Sequence, residues 1–214
     1  MLGYRKYKKK IIEVAKILHN NGFVAGYDGN ISTKVGNKII ITANKSYKGA
    51  LTYDDIVVVD INSTNIKGKR KFSSEFLLHK KAYEVRPDAN VVIHSHPVYT
   101  VLLSIIGEKP NQMLTPEGFL FLGDIPVYPY TTPGSYELAE GAKLLLGSEI
   151  VILEKHGVVA VGNEFFDALD IIEKTEFLAK KTYLALISNK KPKLFSDKEV
   201  SKLLEIKKKV SNKI

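Results

Sequence analysis

Two histidines, His94 and His96, close the β-branched run of Val-Val-Ile-His-Ser-His-Pro at residues 91–97. Side chains alternate across a strand, so both imidazoles face the same side. Two ring nitrogens converging at a strand end suit a divalent metal. The same pair is equally compatible with two half-buried histidines making ordinary hydrogen bonds. His156, in Glu-Lys-His-Gly between the apolar runs 150–153 and 158–161, adds a third imidazole at a strand end. Three protein ligands with one position left open is the pattern of a catalytic zinc. Glu75 is the best candidate carboxylate to join them, because it follows Ser73 and Ser74 at a helix start; it serves equally well as a complement to the helix dipole. The two serines offer hydroxyls and free backbone N–H groups, a ready anion site, although one of them suffices as a cap. Gly29 and Asn30 lie in a glycine-rich loop where backbone can approach a ligand closely, or simply make a turn. His19 and His79 fall within helical patterns beside lysines and read as surface residues.

The elements that must position these groups are legible from periodicity. Residues 4–20 alternate apolar and basic faces at helical spacing, and Asn20-Asn21-Gly22 ends that helix. Two strands, 31–35 and 38–42, form a hairpin about Gly36-Asn37. A third strand covers 56–61, and residues 62–71 read as a polar surface connection. A helix opens at Phe72-Ser73-Ser74-Glu75 with Ser73 as its N-cap and runs to about Val85. After the strand carrying His94 come a helix over 97–106 and short apolar pieces over 113–129. A helix follows from Pro133-Gly134-Ser135 to Gly147, then the hairpin around His156. Asn163 caps a long helix to about Ser188, and Ser196-Asp197-Lys198-Glu199 is a capping box for a last helix. Strands mixed with helices predict a single α/β domain, with a central mixed, mainly antiparallel sheet flanked by helices. It is expected to span residues 1–190, with a helical tail over 191–214 packed on it.

Composition excludes several classes. At 214 residues the chain can bury a large core. It has no cysteine, so a metal must be held by histidine and carboxylate, and a cytoplasmic location is expected. The net charge of +9 is concentrated at the ends: residues 1–20 carry +5 and residues 189–214 carry +6, leaving −2 on the middle 168. That distribution argues for solvated basic helices and against a nucleic-acid stripe. Glu13 and Lys16 interrupt the first apolar stretch, against a signal peptide, and no run approaches a membrane span.

Taken together, Gly29-Asn30-Ile31-Ser32, Ile41-Thr42, Leu51-Thr52-Tyr53-Asp54-Asp55-Ile56-Val57, Ser73-Ser74-Glu75, His94-Ser95-His96, the stretch 123–134 and His156-Gly157-Val158 resemble one family. It is the class II aldolase family, of the L-fuculose-phosphate aldolase and L-ribulose-phosphate 4-epimerase type. The resemblance covers residues 10–188. It implies zinc on His94, His96 and His156, with Glu75 a ligand at rest and the acid/base once substrate arrives. It also implies a phosphate pocket from Gly29, Asn30, Ser73 and Ser74, plus Asn44 and Lys45 in the loop after Thr42. Relatives commonly carry Thr-Pro-Ser-Gly or Thr-Pro-Thr-Gly there, so Lys45 stands where a glycine is usual. Glu117 lies about where methylthioribulose-phosphate dehydratases of this family place a catalytic glutamate. The implied activity is reversible aldol cleavage of a ketose 1-phosphate to dihydroxyacetone phosphate and a short aldehyde, in a homotetramer. A dehydratase or a 4-epimerase is the alternative, and outside enzymes an assembly module such as the adducin head.

Overall fold

A computed structural model describes residues 2–62, 66–67 and 70–211. Part of the connection expected over 62–71, and the last three residues of the expected tail, lie outside these. The strands are β1 (Asn30–Val35), β2 (Lys38–Thr42), β3 (Ile56–Asp60), β4 (Ile66–Lys67), β5 (Val91–Ser95), β6 (Val127–Tyr128), β7 (Ile150–Leu153) and β8 (Gly157–Gly162). They form one sheet in the order β4-β3-β2-β1-β5-β8-β7-β6. Every neighbouring pair is antiparallel except β6 and β7, so the sheet is mixed and mainly antiparallel, as expected.

The helices are α1 (Arg5–Asn20), α2 (Phe76–Val85), α3 (Val98–Ile105), α4 (Tyr136–Glu140), α5 (Phe165–Ile187) and α6 (Asp197–Ser211). Two apolar layers sandwich the sheet. Ile11, Val14 and Leu18 of α1 pack with Phe165, Leu169 and Ile172 of α5 over Ile40, Val58, Ile93 and Val158. Phe76, Leu78 and Ala82 of α2 pack with Leu138 and Leu145 over Ile39, Ile41, Val92 and Val159. Alternate residues of each strand therefore feed opposite layers, which is why the central strands are apolar throughout. α6 lies against the Gly118–Leu122 turn.

Three boundaries differ from expectation for local reasons. α2 begins at Phe76 because the chain is still extended at Phe72, which bridges to Ala43. Glu75 thus takes the cap position that Ser73 was expected to hold, and Ser73 Oγ accepts from Glu75 N at 3.2 Å. α5 is capped at Glu164 instead of Asn163, because Glu164 and Asp167 close a reciprocal capping box. The helix expected over 133–147 is α only to Glu140 and tightens into a 3₁₀ segment, Gly141–Leu146. There Gly141 lies against the Tyr128 ring.

The sheet register places the chemistry. Asn30 on β1 pairs with His94 on β5, and His94 pairs on its other side with Val159 of β8. The β7–β8 turn brings in His156, with Lys155 in the left-handed region at φ 59°. Gly157 then passes under the histidines: a Cβ there would stand 2.4 Å from Ser95 O and 2.6 Å from His96 Cδ2. Gly157→Ala should therefore lower stability by about 1–3 kcal/mol through overpacking. Thermal unfolding would read this as a drop of about 2–4 °C per kcal/mol; a midpoint within about 1 °C of the parent would show that the close approach imposes no constraint.

Candidate metal centre and adjoining cavity

His94 is completely buried, and its Nδ1 faces Val158 O at 2.9 Å. A carbonyl only accepts, so Nδ1 carries the proton and Nε2 is bare. That Nε2 lies 2.9 Å from His96 Nε2 and 3.2 Å from Glu75 Oε2. His156 Nε2 lies 3.2 Å from the other carboxylate oxygen, Oε1. The three imidazoles form a cluster whose ligand atoms all fall within 4.8 Å of one another.

This donor set fits a divalent cation. Two ring nitrogens facing each other at 2.9 Å, with one lone pair already fixed inward, call for a proton or a cation between them. Burial lowers the His94 pKa, and burial together with the neighbouring His94 and His156 rings holds His96 down at about 3. Both shifts favour the neutral forms of His94 and His96, whose lone pairs a metal needs. Burial by itself would raise the Glu75 pKa. The His94 ring, a hydrogen bond with His156 and the Asn30 amide together outweigh burial and hold it well below the usual carboxylate range. Three imidazoles beside one carboxylate resemble the His-and-carboxylate donor sets of zinc sites.

Beside this cluster is a cavity of about 350 Å³. It gathers Gly29, Asn30, Asn44, Lys45, Ser73 and Ser74, the six residues expected to form an anion pocket, next to Glu75, His96 and His156. Gly29 sits at φ 70°, where a Cβ would come within 2.8 Å of His94 O, so this loop tolerates only glycine there. Lys45 holds φ 51°, the left-handed conformation that a glycine would adopt without penalty. Arg70 secures it, donating to Asn44 O at 2.9 Å and Lys45 O at 2.7 Å while clasping Asp55.

Glu117 is not brought to this cluster. It lines a separate cavity with Thr115, Asp170 and Lys174. Two residues were missed. Lys48, only 3% exposed, also lines the metal-side cavity; its Nζ donates to Ser46 O at 2.7 Å and Tyr27 O at 3.1 Å. Burial lowers its pKa to about 8, which leaves it mostly protonated at neutral pH. Nothing in Tyr-Lys-Gly signals this. His79 is not a surface residue but fully buried, bonded to Asn30 and Ser32. Its lysine neighbours misled the reading, although it follows Glu75 by four residues, between Leu78 and Ala82 on the buried face of α2. His19 is likewise half-buried, edge-on to Tyr47 at 5.3 Å between ring centroids.

Comparisons with known proteins agree with this geometry. The family model described as Class II Aldolase and Adducin N-terminal domain matches residues 9–183. An L-fuculose phosphate aldolase of Methanocaldococcus jannaschii is 39% identical over 86% of this chain and 99% of its own length. A 3-oxo-tetronate 4-phosphate decarboxylase of Haemophilus influenzae is 29% identical over 92% of this chain and 95% of its own. A solved structure named L-fuculose 1-phosphate aldolase superposes with a TM-score of 0.82 at 30% identity, covering 95% of this chain and 97% of the other.

The cluster should bind about one divalent cation per chain. Elemental analysis of His94→Ala and His156→Ala variants should find that metal lost; full occupancy in both would remove the site.

Proposed function

The chain belongs to the class II aldolase and adducin N-terminal domain family, and from that premise we propose that it is a zinc-dependent aldolase. The reaction is reversible cleavage of a ketose 1-phosphate, of the L-fuculose 1-phosphate kind, to dihydroxyacetone phosphate and a short aldehyde. The observation that carries this reading is one cavity beside the histidine cluster, lined by Glu75, His96 and His156 together with Asn30, Lys48, Ser73 and Ser74. The relatives named L-fuculose phosphate aldolase support it.

Zinc held by His94, His96 and His156, with Glu75 beside them, supplies Lewis acidity toward a carbonyl and its neighbouring hydroxyl. The chain's own groups do the rest. The substrate's phosphate occupies the pocket between the Gly29–Asn30 loop and Ser73 and Ser74, facing the ammonium groups of Lys45 and Lys48. Binding at that remote end is used to position the carbon that reacts. In cleavage the hydroxyl on the scissile carbon loses its proton as it becomes the aldehyde, and the carbon next to the ketone is left as a carbanion. Glu75, once it has taken up a proton, delivers the one that carbon must gain, and in the synthetic direction it removes it. Substrate hydroxyls that displace the carboxylate from the histidines also remove what holds its pKa low, moving it toward proton exchange.

A second reading rests on the decarboxylase relative. Loss of carbon dioxide beside a ketone leaves the same kind of carbanion, and a terminal phosphate would enter the same pocket. A homotetramer in the cytoplasm completes the proposal. Apolar Phe177, Leu184 and Ile187, exposed on α5, support association, and the absence of cysteine suits the compartment. Light scattering that finds a monomer at micromolar concentration would end the tetramer.

The zinc-loaded protein is to be incubated with a panel of ketose phosphates and 3-oxo-acid phosphates, with products identified by mass. Dihydroxyacetone phosphate with an aldehyde supports the aldolase. Carbon dioxide, loss of water or a stereoisomer would replace it with a decarboxylase, a dehydratase or an epimerase. Glu75→Gln should keep the fold and lose about two to four orders of magnitude in turnover; turnover within twofold would exclude Glu75 from proton transfer. Lys48→Met should raise KM for the phosphorylated substrate about tenfold, as loss of one charge-assisted contact does. In the parent, phosphate affinity should fall as pH rises through about 8, where the Lys48 ammonium deprotonates. An unchanged KM would take Lys48 out of the pocket.

A further inference from the structure

Behind Glu75, four more polar side chains are joined through the interior. Glu75 Oε2 accepts from Asn30 Nδ2 at 2.7 Å, and Asn30 Oδ1 lies 2.5 Å from His79 Nε2. His79 Nδ1 lies 2.7 Å from Ser32 Oγ, which lies 2.8 Å from the Tyr83 hydroxyl. All four are buried. Asn30 and Ser32 come from β1 and His79 and Tyr83 from α2, so the chain ties the helix after Glu75 to the strand paired with His94.

The direction of every bond follows from what each group can donate. An ionised carboxylate only accepts, so Asn30 must turn its NH₂ toward Glu75 and its carbonyl oxygen away. That oxygen only accepts, so His79 must carry its proton on Nε2. Nδ1 is then bare, Ser32 must donate to it, and Ser32 Oγ is left to accept from Tyr83. Burial keeps the ring neutral, with its pKa at about 3, so the second nitrogen stays unprotonated. Without the Nε2–H donor, Asn30 Oδ1 would be buried without a partner, and the carboxylate by itself would have to hold the amide in this orientation.

We propose that His79 is a positioning residue for Glu75: as the Nε2–H tautomer, held by Ser32 and Tyr83, it locks the Asn30 amide so that its NH₂ holds the carboxylate toward the histidine cluster. The inference rests on the reading of Glu75 as metal ligand and acid/base.

The test combines readouts that need no sugar phosphate with one that does. Nitrogen-15 NMR of histidine-labelled protein should show His79 protonated on Nε2 and bare on Nδ1 at neutral pH. His79→Leu should weaken zinc affinity about tenfold by chelator competition, as loss of outer-shell support does. With an active ketose phosphate, kcat should fall about tenfold or more while KM stays within twofold. Ser32→Ala, a smaller change that keeps the ring, should give a mixture of His79 tautomers and a zinc affinity between those of parent and His79→Leu. It decides the question if the leucine variant does not fold. An Nδ1–H or doubly protonated ring in the parent would overturn the proposal. So would a folded His79→Leu, or a Ser32→Ala, with zinc affinity indistinguishable from the parent. If no ketose phosphate is turned over, the aldolase reading fails, while the tautomer and the zinc affinity still decide the role of His79.

Discussion

A single buried anion sets the terms for this site. Glu75 is 8% exposed, and a carboxylate so placed is stable only if charge or hydrogen bonds replace the water it has lost. Asn30 donates to one oxygen and His156 Nε2 lies against the other, and a cation held with His94 would supply the charge; none of these three residues comes from the helix that carries Glu75. The sheet order is what assembles them. β5 lies between β1 and β8, so Asn30, His94 and the β7–β8 turn meet at one edge of the layer under α2. Glu75 enters from above because the chain remains extended through Phe72 and begins its helix only at Phe76.

Close approach of backbone to these groups explains where the chain accepts glycine and where it accepts strain. Gly29 and Gly157 lie so near the backbone of β5 and the histidine rings that any side chain would displace them. Lys45 is different. It adopts a left-handed conformation with a full side chain, which costs about 1–2 kcal/mol, and Arg70 holds the two carbonyls on either side of that strain. The exchange places an extra cation at the rim of the cavity. Lys48 places another in its wall, bridging the 27 and 46 carbonyls so that the two loops keep a fixed spacing. Lys45 and Lys48 bring positive charge to a cavity that Glu75 and Asp28 also line, a layout suited to a ligand with an anionic end and a reactive neutral end.

What could be read directly from residue order was whatever depends on short-range pattern. The β-branched runs, the helical stripes and the His94-Ser95-His96 pair are local, and His156 stands at the end of another local strand pattern. They led to the layered α/β fold, the mixed sheet and a histidine cluster that the structure brings together. The six residues Gly29, Asn30, Asn44, Lys45, Ser73 and Ser74, which line one cavity, are grouped by the family resemblance and not by local pattern. What only the tertiary structure decided concerns groups whose environment is made by distant segments. His79 reads as a surface residue beside Lys80 and Lys81, yet β1 presents Asn30 and Ser32 to both its nitrogens and buries it. Lys48 reads as loop, yet the carbonyls of Tyr27 and Ser46 close over it. Glu117 stands in a suggestive place along the chain, but α5 holds it in another cavity with Asp170 and Lys174. Periodicity reports which face of an element meets the core, whereas the partner of a buried polar group is chosen by strand register and sheet order, which join residues dozens of positions apart.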